Sequence, residues 1–258
     1  MDTFELHRGT APLLVSLPHD GTALPDAIAA RMTDSARRVP DTDWHVARLY
    51  AFARELGASM LVPNCSRYVV DLNRPPDDTS LYPGQNTTGL CPHVQFSGEP
   101  VYLDGEQPSP GEIAARVETY WRPYHDALAG ELARLRQTHG RAVLWEGHSI
   151  KGEQPFLFEG RLPDLNLGTV NGASCSPQLQ ARLQNALVAQ NNYDFVINGR
   201  FKGGYITRQY GDPSRGIDAV QMEISQRNYM DEESFEWIDA NASRLQAMVR
   251  RLLDAALS

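Results

Sequence analysis

The stretch AVLWEGHS, residues 142–149, joins an apolar run to a group of polar side chains. Its first half, residues 142–145, is short and apolar, which predicts a buried strand. The segment before it, residues 111–138, has the apolar period of a long amphipathic helix. A helix that leads directly into a buried strand is typical of an α/β sheet flanked by helices.

The same alternation of apolar runs and helical patterns extends over the rest of the chain. Short apolar runs predict further strands at 12–17, 59–63, 67–72, 193–197 and 219–224. Amphipathic patterns predict further helices at 24–32, 44–56, 177–190 and 232–257. We therefore expect one α/β domain over residues 1–258, with a mixed, mostly parallel central sheet flanked by helices.

Residues 75–110 have a different composition, rich in Pro, Gly, Asp and Thr, with short β-like pieces at most. A loop of this length inside a compact domain is usually functional or disordered. Apolar residues recur along it and offer anchors to a core, which favours an ordered lid. These residues are Tyr82, Leu90, Phe96, Val101 and Tyr102.

The 258 residues carry a formal net charge of −8, so nucleic acid is not an expected partner. No apolar run reaches the length of a membrane span, and the first residues lack the basic and apolar regions of a signal peptide. Three widely spaced cysteines make neither a disulfide framework nor a metal knuckle. We expect a cytoplasmic protein that binds a small molecule, and its oligomeric state stays open.

Polar side chains stand at or near the ends of four predicted strands. They are His19 after 12–17, Asn73 and Arg74 after 67–72, His148 after 142–145, and Glu223 inside 219–224. In open α/β sheets the ligand crevice lies beyond the carboxyl ends of the strands. The shared placement therefore predicts a site at that edge of the sheet.

His19 and His148 suit a metal site, because two imidazoles and one carboxylate leave a zinc position open for water. Asp41 and Asp43 are candidates for the carboxylate, although both stand at a predicted helix start and would equally serve as N-caps. Glu146 shares a strand face with His148 and would either bind the metal or orient the imidazole. Spacing alone does not choose among the three.

Glu223 lies in an otherwise apolar strand, where burial favours a raised pKa and a role as general base or acid. An ion pair with Arg200 or Arg208 is the structural alternative. The glycine-rich segment 201–211 lets the backbone come close to a ligand, and its Lys202 and Arg208 offer cations. A plain hairpin with solvated charges is the alternative there.

Other catalytic patterns do not fit. The sequence has no GxSxG nucleophile elbow, no GxxxxGK[ST] phosphate loop and no GxGxxG dinucleotide motif. Nothing near Cys65 or Cys175 would lower a thiol pKa as a cysteine nucleophile requires. Hydrolysis assisted by a metal ion is the chemistry that remains.

Seven short motifs, in their order along the chain, resemble the N-formylglutamate amidohydrolase family over about residues 8–235. They are LLVSLPHDGTALP, PDTDWHVARLY, SRYVVDLNRP, HSI, LPDLNLGTVNGASC, NGRFKGGYITRQYGDP and AVQMEISQRNYM. The resemblance implies hydrolysis of N-formyl-L-glutamate to formate and L-glutamate in histidine degradation. It also implies one divalent metal ion, with Zn²⁺ as the expected identity, on a fold similar to zinc carboxypeptidases and aspartoacylase-like deacylases (phosphorylase/hydrolase-like).

By the same resemblance, His19, Asp43 and His148 would hold the metal ion, and Glu223 would accept the proton of the attacking water. The carboxypeptidase pattern HxxE is not kept, because Thr22 stands three residues after His19, so the acidic ligand must come from elsewhere. A related N-acyl amino acid deacylase, or a carboxypeptidase-like hydrolase of another acyl substrate, is the alternative function.

The motif DLNR, residues 71–74, is similar to the one with which those enzymes hold a substrate carboxylate. Asn73 and Arg74 would therefore bind one carboxylate of a dicarboxylate substrate. Arg67, Arg208 and Lys202 compete for the second carboxylate. Asp71 and Glu146 would support the ligands from behind.

Overall fold

The computed structural model of the protein describes residues 2–81, 84 and 87–258. Among these residues seven strands form one sheet. In chain order the strands are β1 Phe4–His7, β2 Leu13–Ser16, β3 Ser59–Pro63, β4 Ala142–Ile150, β5 Leu165–Gly168, β6 Phe195–Ile197 and β7 Ile217–Ser225. Strands β2 and β4 are buried along their whole length, and the first part of each reads as an apolar run in the sequence.

The sheet is mixed and mostly parallel, which confirms the predicted fold class. Its order from edge to edge is β1-β3-β2-β4-β7-β5-β6. Strands β3, β2, β4 and β7 run parallel to one another, β1 and β5 pair antiparallel with β3 and β7, and β6 is parallel to β5. Strands β4 and β7 pair from Ala142 opposite Ile217 to Ile150 opposite Ser225. This long central pair brings two carboxyl ends to the same edge.

Helices cover both faces of the sheet. Val143 and Trp145 of β4 pack in the core that contains α5 and α7, whereas Leu144 packs in the core that contains α4. The alternation follows from the two-residue period of a strand. The helices are α1 Asp26–Ala29, α2 Val46–Leu49, α3 Pro110–Arg116, α4 Arg122–His139, α5 Pro177–Val188, α6 Tyr205–Tyr210 and α7 Asp239–Leu257. None of the helices described here is long and apolar enough to cross a membrane.

Helices α3 and α4 form one rod with a π-helical turn, Val117–Trp121, between them. The rod ends at Gly140, whose φ of 73° lies in the left-handed region that favours glycine. Pro123, the second residue after the π turn, has no N–H for a bond to the preceding turn. The rod confirms the predicted helix at 111–138, and the wider turn beside Pro123 is the feature that the sequence reading missed.

The predicted strand at 67–72 is wrong. The segment is a buried turn, in which the Val69 N–H donates to Ser66 C=O at 2.9 Å and the Arg74 N–H donates to Asp71 C=O at 3.2 Å. Val70 and Leu72 are nevertheless buried in the core that contains α4. The apolar run therefore reports burial, and local hydrogen bonds take the place of a strand ladder.

Helix predictions are less accurate on the amino-terminal side of the molecule. The predicted helix at 24–32 is reduced to α1. The one at 44–56 is divided into α2 and the 3₁₀ segment Ala51–Arg54. His45 in a left-handed conformation, with φ of 63°, precedes α2 and prevents a continuous helix from 44.

The second half of the chain also differs in detail from the predictions. Strands β1 and β5 were not predicted, and β4 extends past residue 145 to include Glu146 and His148. Segment 201–211 is not a hairpin, because α6 occupies most of it. The closing helix begins at Asp239, and helix α5 agrees with its prediction.

In loop 75–110, described residues make turns and isolated bridges, such as Val94 with Pro100. Four of the predicted anchors, Leu90, Phe96, Val101 and Tyr102, are buried. The fifth, Tyr82, lies outside the described residues. The segment's described part is therefore tied to the cores, as an ordered lid requires.

Candidate active site

Strands β4 and β7 change from apolar to polar along one face of the sheet. On β4, Leu144 is followed on the same face by Glu146 and His148, because every second residue shares a face. On β7 the corresponding positions are Gln221 and Glu223, and Glu223 pairs in register with His148. All four polar side chains are buried. The face of the sheet that packs against α4 is thus apolar at first and becomes polar towards the carboxyl ends of β4 and β7.

His19, Asp43 and His148 form a buried cluster whose potential ligand atoms all lie within 4.8 Å of one another. Asp43 Oδ2 is 2.9 Å from His148 Nδ1 and 3.7 Å from His19 Nδ1. The Asp43 N–H donates to His19 C=O at 3.0 Å, which holds the two segments together. Spacing had left several acidic candidates open, and Asp43 is the one that lies in this cluster. Asp41 instead accepts from the Phe96 N–H at 2.8 Å.

A carboxylate lies behind each histidine. The Nε2–H of His19 donates to Asp71 Oδ1 at 2.7 Å, and the Nε2–H of His148 donates to Glu146 Oε1 at 2.7 Å. Because an ionised carboxylate only accepts, these contacts place a proton on each Nε2 and turn each Nδ1 towards Asp43, where a metal ion would take the place of a second ring proton. Two imidazole nitrogens and one carboxylate oxygen are the donor set of a zinc-type site, with second carboxylates fixing the rings. The residues present therefore fit a divalent ion.

The charges in the cluster support the same conclusion. Burial alone would raise the pKa of Asp43, but His148 and His19 hold it below its usual range. Burial alone would lower the pKa of His148, yet Asp43 and Glu146 at its two ring nitrogens raise it well above its usual value. The carboxylates thus favour a positive charge at this point.

Glu223 has the opposite shift. Burial raises its pKa to about 8, although the neighbouring His148 favours the ionised form. A carboxyl group that takes up and releases a proton near neutral pH is suited to general acid and base chemistry.

The 67–74 turn brings four polar residues to the other side of the cluster. Arg67 Nη2 is 2.6 Å from Asp71 Oδ2, and its Nη1 is 3.2 Å from His19 Nδ1. Asn73 lies with its side-chain amide 3.1 Å from His148 Nε2. The Nε–H of Arg74 donates to Thr88 C=O at 2.8 Å, which fixes the guanidinium beside the cavity.

A half-open cleft of about 650 Å³, its mouth included, connects these groups. Polar residues of the metal cluster and Glu223 form one part of its wall, and apolar side chains such as Phe96 and Phe201 form another. A cleft with apolar walls and a few converging polar groups suits a small molecule. Its cationic side chains are Arg67, Arg74 and Arg200.

Two predicted substrate-binding residues are outside this cleft. Arg208 and Lys202 are not among the described residues that line it, and the Arg208 Nε–H donates to Gly203 C=O at 2.9 Å. Their contact with substrate stays a prediction. Arg200 lines the cleft but was considered from the sequence only as a partner of Glu223. Its place at the entrance to the glycine-rich segment was the available signal.

The fold and the site define an α/β enzyme with a candidate metal centre at the carboxyl edge of its sheet. The chain belongs to the N-formylglutamate amidohydrolase family, whose sequence model matches residues 11–230. The resemblance stated from the motifs is therefore confirmed.

Two relatives are named N-formylglutamate deformylase. The one from Pseudomonas putida is 51% identical over 253 residues, which cover 98% of this chain and 94% of the relative. The one from Pseudomonas aeruginosa is 50% identical over 258 residues, which cover 100% of this chain and 97% of the relative. Similarity at this level extends over the whole of the molecule.

Solved structures share the fold. The N-formylglutamate amidohydrolase from Ralstonia eutropha JMP134 superposes with a TM-score of 0.83 at 26% identity, covering 100% of this chain and 96% of the other. A gene product from Agrobacterium tumefaciens superposes with a TM-score of 0.72 at 19% identity, covering 98% and 96%. The second likeness concerns the fold alone.

Proposed function

We propose that the protein hydrolyses N-formyl-L-glutamate to formate and L-glutamate as a metal-dependent amidohydrolase of histidine degradation. The observation that carries this proposal is the convergence of His19, Asp43 and His148 beside Glu223 and a cationic cleft. The half-identical relatives named N-formylglutamate deformylase support the choice of substrate. The acidic chain and the cleft support a small-molecule partner, and three free cysteines support a cytoplasmic location.

His19, Asp43 and His148 would hold one divalent ion, for which Zn²⁺ is the expected identity. When bound, such an ion supplies a water of lowered pKa and a positive charge near the substrate carbonyl. Asp71 and Glu146 keep both Nε2–H groups turned away from the centre, so the Nδ1 lone pairs remain directed at it.

Glu223 would move the proton. Its carboxylate accepts a proton from the attacking water while the new C–O bond forms at the formyl carbon. It then gives that proton to the glutamate nitrogen as the C–N bond breaks. The pKa of about 8 that burial gives Glu223 makes the protonated form stable enough to wait for the second transfer.

Arg74, with Asn73, would bind one carboxylate of the substrate in a directional, charge-assisted pair. For the second carboxylate we favour Arg200, because it lines the cleft whereas Arg208 and Lys202 do not. Arg67 also lines the cleft, but its charge is already offset by Asp71 at 2.6 Å. Thr87, Thr88 and Phe96 bring the 75–110 segment to the cleft wall, which supports its role as a lid.

The experiment compares release of the free amino acid from N-formylglutamate, N-formylaspartate, N-succinylglutamate and N-formylnorvaline by one purified sample. We expect the highest kcat/KM on N-formylglutamate. Arg74→Ala and Arg200→Ala should each reduce kcat/KM about 10- to 100-fold, since a charged hydrogen bond contributes about 1.5–3 kcal/mol. Arg136→Ala, on α4 and not among the described residues that line the cleft, is the matched control. Equal turnover of N-formylnorvaline, which has one carboxylate, would contradict the assignment of dicarboxylate specificity.

A further inference from the structure

The backbone of residues 72–74 is held in place by aromatic side chains from outside the site. The indole Nε1–H of Trp121 donates to Arg74 C=O at 3.0 Å. The Nε2–H of His125 donates to Leu72 C=O at 2.9 Å. Between them, the Tyr205 N–H reaches Asn73 C=O at 3.4 Å. Three consecutive carbonyls that form no strand ladder therefore have partners in α4, α6 and the π turn.

The two side-chain donors form one unit. The rings of Trp121 and His125 are stacked, with centroids 3.7 Å apart and an interplanar angle of 21°. Trp121 is the last residue of the π turn, and His125 lies one helical turn further along α4. A π turn rotates the residues that follow it relative to the preceding helix, and such turns are frequent at functional sites. Here it sets the direction of both donors.

His125 is a neutral donor in the folded protein. Burial lowers its pKa to about 4, so the ring carries one proton at neutral pH. Because Leu72 C=O only accepts, that proton is on Nε2, and Nδ1 accepts from the Tyr210 O–H at 2.9 Å. The imidazole thus ties helices α4 and α6 to the turn that carries Asn73 and Arg74.

Neither Trp121 nor His125 lines the cleft, so any effect on the reaction passes through the turn. Asn73 and Arg74 do line it. Charge-assisted pairs with a carboxylate depend on direction as well as distance, and small displacements of a binding group are costly. Loss of the Trp121 bond would free the Arg74 carbonyl and change where its guanidinium points.

We infer that Trp121 and His125 are positioning residues that set substrate carboxylate binding by Arg74 through the backbone of residues 72–74. The inference rests on the proposed function and extends it. The aromatic stack then has two roles. Burial of its rings stabilises the fold, and its two N–H donors orient the backbone of residues 72–74.

Trp121→Phe tests the inference, because it keeps an aromatic ring in the stack and removes the N–H. We expect kcat/KM on N-formylglutamate to fall roughly three- to tenfold, the value of one hydrogen bond, mainly through KM. Trp237→Phe is the matched control, since it removes an indole N–H that donates to Asp239 at 2.8 Å on the surface. That variant should keep the wild-type constants.

Two truncated substrates distinguish a positioning role of Trp121 from a purely structural one, because only a positioning role would depend on which carboxylate the substrate carries. N-formylnorvaline lacks the side-chain carboxylate, and 4-formamidobutyrate lacks the α-carboxylate. We expect Arg74→Ala to leave kcat/KM unchanged on one of these two substrates. Trp121→Phe should leave kcat/KM unchanged on the same one. An equal loss on all three substrates, or no loss on N-formylglutamate, would overturn the inference while leaving the proposed function intact.

His125 is tested by a conservative pair. His125→Gln offers a side-chain N–H toward Leu72, whereas His125→Phe keeps a ring and offers none. We expect His125→Gln to restore part of the KM that His125→Phe loses. Equal KM in the two variants would overturn the role of the donor. Absence of formate release by the wild-type enzyme would instead overturn the proposed function, and the inference with it.

Discussion

The two sides of the candidate site are built in different ways. His148, Glu146 and Glu223 lie on the paired strands β4 and β7, whose ladder fixes their spacing. Asp71, Asn73 and Arg74 lie on an irregular turn that depends on side-chain hydrogen bonds from its surroundings. A ladder tolerates change in neighbouring side chains, because its backbone bonds remain. The turn should therefore be the side on which distant substitutions affect activity.

The largest expected effect is on the strand side. Glu223→Gln should reduce kcat about 10²- to 10⁴-fold, the usual contribution of general acid and base catalysis. Burial raises the pKa of Glu223 to about 8, so a neutral glutamine of nearly the same shape carries no added burial cost, and we expect stability to be kept. Formate release, bound metal and urea unfolding check this. A variant with wild-type kcat would remove Glu223 from the mechanism.

The carboxylates behind the two histidines allow a direct comparison of the two sides. Glu146→Gln and Asp71→Asn should each weaken metal binding about 10- to 100-fold. Asp71→Asn should be the more damaging, because Asp71 also contacts Arg67 at 2.6 Å and the Asn73 N–H at 2.9 Å.

Metal affinity by competition with a chelator, together with KM, measures both effects. Glu146 also accepts from the Thr207 N–H at 3.0 Å, so each of the two carboxylates has a contact besides its histidine. We expect only Asp71→Asn to raise KM for the dicarboxylate. A greater rise in Glu146→Gln would contradict the dependence of the turn on side-chain bonds.

A smaller effect concerns stability and pH. The folded pKa of His125, about 4, is below its unfolded value of 6.5. Above pH 6.5 the ring is neutral in both states and contributes no pH dependence. As pH falls towards 4, only the unfolded chain gains the proton, so stability is lost, by roughly 3 kcal/mol over the window.

Urea unfolding of wild type and His125→Gln between pH 7 and 4.5 measures this contribution. The variant should lose less stability on acidification than the wild type, by about 1–3 kcal/mol at the acidic end. Parallel curves for the two proteins would show that the imidazole is not buried as a neutral donor. The comparison is independent of turnover.

The same contrast explains what the sequence could predict. Runs such as those of β2 and β3 are mostly apolar over a strand's length, so their positions followed from the pattern, and their alternation with helices indicated the mixed sheet. The 67–72 run is equally apolar, but its backbone bonds are local, and no periodicity distinguishes a buried turn from a buried strand.

The site residues also divide into those that the sequence pattern indicated and those that it did not. His19, His148 and Glu223 were identified by their place at or within apolar runs, whereas the choice of Asp43 came from the family resemblance. Arg200 and Trp121 gave no comparable signal. Arg200 reaches the cleft from a loop, and Trp121, the last residue of the π turn, contacts the Arg74 carbonyl behind the cleft.

The most direct measurement of the central claim is formate release from N-formylglutamate before and after removal of divalent metal. The account predicts that chelation abolishes turnover and that about one equivalent of Zn²⁺ per chain restores it. His148→Ala should bind the ion poorly and recover little, because it removes one of the three converging ligands. Full formate release by protein shown to contain no divalent ion would contradict the account.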